Sequence, residues 1–200
     1  MKICQGVSFL LTIFLLGSIS FNPAYAHRFY VALVIPFSNA VADQGRQYRQ
    51  GFMLATTERD SHPDEESDGH LGGLDVYVSV IDSQGDIRTE IERIVSQGRI
   101  DIVVAIGSEK TLSLVGNLLD GGNIALLAPG QSPFSQSDMP AVVAFTSAFE
   151  NQYGGRPSAQ AAHGYNAARR IDVAVRIQGG ADDAEGMVRI FKRTASNFTW

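Results

Sequence analysis

Cysteine and basic residues are scarce in this chain. Its 200 residues contain one cysteine, Cys4, so a disulfide within the chain and a metal site built from several thiolates are both excluded. Lysine and arginine total 16 against 21 aspartates and glutamates, which gives a formal net charge of −5, and the basic residues form no block. A nucleic-acid partner is therefore not expected, because the phosphate backbone is bound through clustered positive charge.

Long apolar runs are missing as well. The longest, residues 7–16, is too short to span a bilayer, but it follows Lys2 and precedes Ala24-Tyr25-Ala26, an A-x-A cleavage pattern. We therefore expect residues 1–26 to be a signal peptide cleaved before His27, which would also remove Cys4. Residues 27–200 are then expected to form one exported, periplasmic domain.

Residues 74–132 contain the pattern that defines the fold. Alternating valines in 74–82 and an apolar run in 101–107 predict two strands, and 123–128 predicts a third. Helical stripes in 87–97 and 111–119 separate them. Strands that are apolar on both sides are typical of a buried parallel sheet. The sequence therefore predicts an α/β fold in three layers, a parallel sheet with helices on both faces.

The flanking segments complete this prediction. Residues 28–36 predict the first strand and 41–59 the first helix, in which Gly45 suggests a close contact. Residues 61–73 are polar and rich in glycine, which favours a solvated loop. After a polar linker, 141–145 is compatible with a short strand. Ser158 as N-cap and Gly179-Gly180 as stop predict a long helix over 159–177, and a last helix is expected over 184–192.

Three strand-to-helix turns contain the candidate binding residues. They hold Ser38, then Ser108 and Thr111, and finally Gly130 and Ser132, all at the carboxyl ends of predicted parallel strands. Open α/β sheets bind ligands at that edge, where free helix N–H groups beside short hydroxyls suit a carboxylate. The alternative is that these residues only cap helices and close turns, as serine and glycine commonly do.

Other chemistries fit poorly. The turn Gly107-Ser108-Glu109-Lys110-Thr111 lacks both glycines of a phosphate-binding loop, with Glu109 in the place of one of them. No Gly-x-Ser-x-Gly elbow is present, and the histidines have no evident partners for nucleophilic catalysis, so an enzyme is not expected. His62 and His70 bracket four acidic residues, but that segment offers no periodic scaffold to fix metal ligands. No cofactor is implied.

Five segments, in order, resemble the periplasmic substrate-binding proteins of branched-chain amino-acid ABC transporters, which have the type I periplasmic-binding fold. VALVIPFSNAVADQGRQYRQGFMLA resembles the family's opening "PLSG…GxxxxxGxxLA", and DSQGD its "D-x-Q-G-D" turn. Residues 102–111 are similar to "IIG…SS", APGQS to "SP-x-A-T", and FENQYGGRPSAQAAHGYNAAR to "F…YG..P…AA.GYDA". These segments cover most of residues 27–200.

The resemblance implies a clamshell of two lobes that holds an amino acid or similar solute and presents it to a permease. It assigns ligand contacts to Ser108, Thr111, Gly130 and Ser132, and a place in the wall to Gln44. Gln44 and Gln131 depart from the family pattern, which leaves the preferred solute side chain open.

The chain is short for this family. The late segment follows the Pro129 turn closely, so the resemblance implies a single lobe, with 27–132 as its core and 141–200 packing back on it. Two hypotheses follow: a solute-binding protein, working with a partner lobe in a homodimer or binding weakly, or an interaction module that uses the open cleft to bind a permease or another exported protein.

Overall fold

The computed structural model describes residues 28–58, 60, 66–129 and 139–195. The strands are β1 Arg28–Ile35, β2 His70–Leu71, β3 Leu74–Asp82, β4 Ile102–Ala105 and β5 Ala125–Leu127. The helices are α1 Ala42–Thr57, α2 Ile87–Ser96, α3 Glu109–Leu119, α4 Pro140–Tyr153, α5 Ala159–Gln178 and α6 Ala184–Thr194. A 3-10 turn, Asn39–Val41, leads into α1.

The five strands form one sheet in the order β2-β3-β1-β4-β5. β3, β1, β4 and β5 are parallel, and only the two-residue edge strand β2 runs antiparallel to its neighbour. Leu33 of β1 lies opposite Val80 on one side and Val104 on the other. The carboxyl ends of four strands consequently lie along one edge.

Helices cover both faces of this sheet. On one face, Val31 and Leu33 pack into a core shared with α1, α4, α5 and α6. On the other face, Ala32 and Val34 pack against the apolar stripes of α2 and α3. Side chains of a strand alternate between faces, so β1 is buried on both sides. The predicted α/β class with three layers is confirmed.

Glycines let α1 approach its neighbours closely. A Cβ on Gly51 would lie 1.8 Å from the Ala161 carbonyl oxygen of α5, and a Cβ on Gly164 would lie 1.9 Å from the Tyr48 carbonyl oxygen. A Cβ on Gly45 would lie 1.7 Å from the Pro36 carbonyl oxygen. The close contact predicted at Gly45 is confirmed: the helix backbone rests against the end of β1 at a distance that only glycine permits.

The late part of the chain is helical from Pro140 onward. The strand predicted over 141–145 is wrong, since those residues lie in α4. Pro140 occupies the first turn of that helix, where proline is favoured, and Val142, Phe145 and Phe149 are buried at helical spacing. The long helix α5 begins as predicted, with the Ser158 hydroxyl accepting the Ala161 N–H, and it ends at Gly179 in the left-handed conformation.

The loop predicted over 61–73 is wrong in its described last part. His70 and Leu71 form β2, which pairs with β3 through a turn at Gly72 and Gly73. Both glycines have positive φ, 68° and 85°, as a tight two-residue hairpin requires. The Asp172 carboxylate of α5 accepts the Gly72 N–H at 2.8 Å and so fastens the hairpin to the helix layer.

Two predictions concern segments outside the described residues, the signal peptide at 1–26 and most of the linker after residue 132. Among the helices that are described, none has the length and apolar character needed to span a membrane.

Candidate functional site

The carboxyl edge of the sheet brings two of the three predicted binding turns side by side. The Ile106 N–H donates to the Val34 carbonyl at 3.1 Å, so the turns after β1 and β4 leave neighbouring strands. On the other side of β1, the Ser83 N–H donates to the Ile35 carbonyl at 2.8 Å. Ser38 therefore follows the central strand, between the turn that follows β3 and the turn that contains Ser108.

Asp82, the last residue of β3, organises the turn after β1. Its Oδ1 accepts the Phe37 N–H at 2.8 Å and the Gln84 N–H at 3.0 Å. Ser38 donates to the same carboxylate from its hydroxyl and its backbone N–H. One side chain thus joins two turns that are 45 positions apart in the sequence.

These hydrogen bonds determine the charge state of Asp82. Partial desolvation raises the pKa of this carboxyl, but the bonds from Ser38, Phe37 and Gln84 favour the ionised form and together hold the pKa below its usual value. The turn after β1 is consequently built on a carboxylate that is charged at neutral pH.

Ser108 and Thr111 contact each other at the start of α3. The Ser108 Oγ accepts the Thr111 N–H at 3.2 Å and lies 3.1 Å from the Thr111 hydroxyl. Gly107, before them, has a φ of 150°, and a Cβ there would lie 3.2 Å from Thr111. Ser108 is therefore an N-cap, as the alternative interpretation predicted, and its exposed hydroxyl lies at the edge where the binding interpretation placed it.

Of the remaining predicted site residues, one lies within the described part of the chain. Gln44 lies exposed in the first turn of α1. Gly130, Gln131 and Ser132 lie outside the described residues, and their assignment to the site stays a prediction.

Asn39 and Asp82 are functional candidates that the sequence did not single out. Asn39 is the one non-glycine residue with positive φ in the described part of the chain, at 59°, and its amide donates to the Ser38 Oγ at 3.1 Å. Asparagine tolerates this conformation better than most residues, so an Asn directly after the predicted serine was the available signal. Asp82 begins the DSQGD segment that resembles the family's turn, but its role in the turn after β1 could not be predicted, because its partners across the edge are distant in sequence.

His70 lies between two carboxylates. The His70 Nδ1 lies 3.0 Å from an Asp60 oxygen, and its Nε2 lies 2.8 Å from an Asp75 oxygen. No group of three or more His, Cys, Asp or Glu side chains suited to a metal ion occurs within residues 28–58, 60, 66–129 and 139–195. The His70 side chain therefore links β2 to β3 and to the segment that follows α1.

The fold is that of the substrate-binding proteins of branched-chain amino-acid ABC transporters, and the described sheet with its helices corresponds to one lobe of the type I periplasmic-binding fold. A putative branched-chain amino-acid ABC transporter protein from Rhodospirillum rubrum is similar at a TM-score of 0.58 and 15% identity, over 82% of this chain and 88% of that one. The substrate-binding protein of the branched-chain amino-acid transporter from Streptococcus pneumoniae, solved with isoleucine, is similar at a TM-score of 0.58 and 11% identity. The likeness covers 84% of this chain and 88% of that one.

A third neighbour, an ABC transporter substrate-binding protein from Sphaerobacter thermophilus, has a TM-score of 0.58 at 11% identity, over 82% of this chain and 85% of its own. No protein-family model matches the sequence, and no curated protein matches it. The likeness is thus one of fold, and it confirms the architecture that the five sequence segments implied.

Proposed function

We propose that this protein binds a small amino-acid-like solute at the carboxyl edge of its sheet and delivers it, as an exported protein, to an ABC-type uptake system. The observation that carries the proposal is the coincidence of two independent features. The fold is shared with solute-binding proteins, and the turns after β1 and β4 bring the half-buried Ser38 and the exposed Ser108 to the edge where such sheets bind ligands.

The charges at this edge favour a zwitterion over a simple anion. From the end of β3 to the start of α2, and at the start of α3, there are three acidic residues, Asp82, Asp86 and Glu109, against one basic residue, Lys110. A carboxylate alone would meet net repulsion there, whereas the ammonium group of an amino acid would be attracted. The first turn of α3 still offers backbone N–H groups to the carboxylate of the same molecule.

The test distinguishes whether the Ser108 hydroxyl binds a ligand or only caps α3. We would titrate the purified protein with L-isoleucine, and with simple carboxylates in parallel, and measure the free energy of unfolding. A ligand at about a hundredfold excess over its Kd should stabilise the protein by about 2.7 kcal/mol. Ser108→Gly should abolish this response, because the substitution removes the hydroxyl while costing the helix cap only about a few tenths of a kcal/mol.

Ser158→Gly is the matched control. Ser158 caps α5 through the same Oγ to N–H geometry, at 3.3 Å, but does not follow a strand of the sheet. It should lose similar stability and keep the ligand response. If both variants respond to ligand like the parent, the turn of Ser108 is only structural. If no solute stabilises the parent, solute binding is wrong.

The second candidate function, an interaction module that binds another exported protein, is favoured by one observation. Two of the exposed large apolar side chains, Val143 and Met139, lie four positions apart on α4 and just before it, with 50% and 45% of their surface exposed, and grouped apolar exposure is typical of interaction sites. If no solute stabilises the parent protein, the interaction module becomes the better explanation of the fold.

A further inference from the structure

A cleft lies at the amino edge of the sheet, at the opposite end of the strands from the proposed solute site. It has a volume of about 300 Å³ and lies between the first residues of β1 and β3 and the last turn of α2. Its lining includes Tyr30, Asp68, Tyr77, Ser79, Arg93 and Arg99. Ligand pockets begin at about this size, so a molecule with a single ring would fit.

Two tyrosines form an aromatic wall in this cleft. Tyr30 and Tyr77 lie directly opposite each other on β1 and β3, with ring centroids 5.3 Å apart and planes inclined by 30°. Both side chains are partly exposed. Within the described part of the chain, neither phenol hydroxyl has a hydrogen-bond partner, whereas those of Tyr153 and Tyr165 both do. The wall thus offers ring faces and two uncommitted polar groups.

The charged side chains beside this wall differ in whether they already have a partner within the protein. Arg93 is paired with Glu90 at 2.9 Å, and the Asp68 Oδ2 accepts the Val78 N–H at 2.8 Å. The guanidinium of Arg99 makes no ion pair with any residue that the structure describes. Arg99 is therefore the cation free to receive an anionic group, and its planar fork suits a carboxylate.

We propose that this cleft is a second binding site, for a small aromatic carboxylate. The ring of the ligand packs on Tyr30 and Tyr77, and its carboxylate pairs with Arg99. Aromatic packing and a charged hydrogen bond are both supplied by groups that the fold leaves unused. This site does not depend on the proposed solute function at the carboxyl edge.

Benzoate is the probe for the test. In a titration followed by amide NMR, we expect the largest shifts at residues 77–79 and 93–99, with the amides of 107–111 unaffected. Arg99→Gln should weaken binding by about tenfold or more. Arg88→Gln is the matched control, because Arg88 lies in α2, the helix that precedes Arg99, is exposed, and does not line the cleft. It should bind benzoate like the parent.

Two further arms make the result specific. Benzylamine has the same ring and the opposite charge, and it should not bind. Ser108→Gly should leave benzoate binding unchanged, which separates this site from the carboxyl edge. The proposal is overturned if Arg99→Gln binds as the parent does, if benzylamine binds equally well, or if benzoate shifts only residues 107–111.

Discussion

The two edges of the sheet use their polar groups in opposite ways. At the carboxyl edge, Asp82, Asp86 and Ser108 each accept a backbone N–H from their own turns, so that edge is fixed before any ligand arrives. At the amino edge, Asp101 accepts one N–H, from Tyr30, and the nearby phenols and Arg99 stay uncommitted. The carboxyl edge thus has turns that are already fixed, and the amino edge has polar groups that are still available to a ligand. A binding site needs both features.

The largest effect on stability is expected at the carboxyl edge, where the backbone of α1 contacts the end of β1. Gly45→Ala should destabilise the protein by about 3 kcal/mol or more, because its Cβ would overlap the Pro36 carbonyl and neither backbone can move freely. At the amino edge, Gly98 has a φ of 62° and open space around it. Gly98→Ala should therefore cost only about 1–2 kcal/mol, the strain of the left-handed conformation.

Urea unfolding of both variants measures the difference. Equal losses at the two positions would mean that the carboxyl edge is no more rigid than the amino edge.

The next test is the pH dependence of Asp82. Because the folded protein holds its pKa below the usual value, the carboxylate stabilises the fold above the unfolded pKa, and this stabilisation is lost as the pH falls through the folded pKa. Asp82→Asn should therefore be less stable by about 1 kcal/mol at pH 7, allowing for the partial exposure of this carboxyl. The gap to the parent should begin to narrow below about pH 4 and should close once the pH is below the lowered pKa of the folded protein. A gap that does not change with pH would contradict the role of the charge.

The smallest effect is expected at Asp101, with the opposite sign. Desolvation raises the pKa of this carboxyl, outweighing the hydrogen bond from Tyr30, and the charge of Asp182 raises it further. The folded state thus holds the proton more tightly than the unfolded state, so ionisation weakens the fold as the pH rises from the unfolded pKa through the folded one. Asp101→Asn should be more stable by about 0.5 kcal/mol at pH 7, since the amide oxygen can still accept the N–H.

Thermal unfolding at pH 7 and at pH 3.5 measures this. A destabilised Asp101→Asn at pH 7 would remove the contrast between the two edges.

Much of the fold could be predicted because its signals are local. The apolar run that becomes β4 is buried on both faces, and α5 begins and ends at residues whose side chain or conformation sets the boundary. The strand predicted over residues 141–145 was wrong for a physical reason. β-branched Val142 and Val143 favour a strand, but Pro140 opens a helix and burial of Phe145 and Phe149 stabilises it. Gly72-Gly73 is typical of a hairpin turn, but the acidic, polar residues before it favoured the prediction of a loop over 61–73.

The candidate site could be predicted only in part. Ser38, Ser108 and Thr111 follow strands, and the parallel sheet alone places them on one edge. The role of Asp82 depends on the Phe37 N–H, and no local pattern indicates which backbone group a carboxylate will reach after folding. The amino-edge cleft was missed for the same reason, since Tyr30 and Tyr77 become neighbours only through the pairing of β1 with β3.

The packing of α1 on α5 also sets the time at which the chain can become stable. Gln47 and Ser158, joined by a hydrogen bond where the two helices meet, are 111 positions apart. At a synthesis rate of about 5–20 residues per second, α1 emerges roughly 5–20 s before its partner exists. During that interval the face of α1 around Gly51, which packs on Ala161 of α5, lacks its partner, so this part of the core cannot form until the chain is nearly complete.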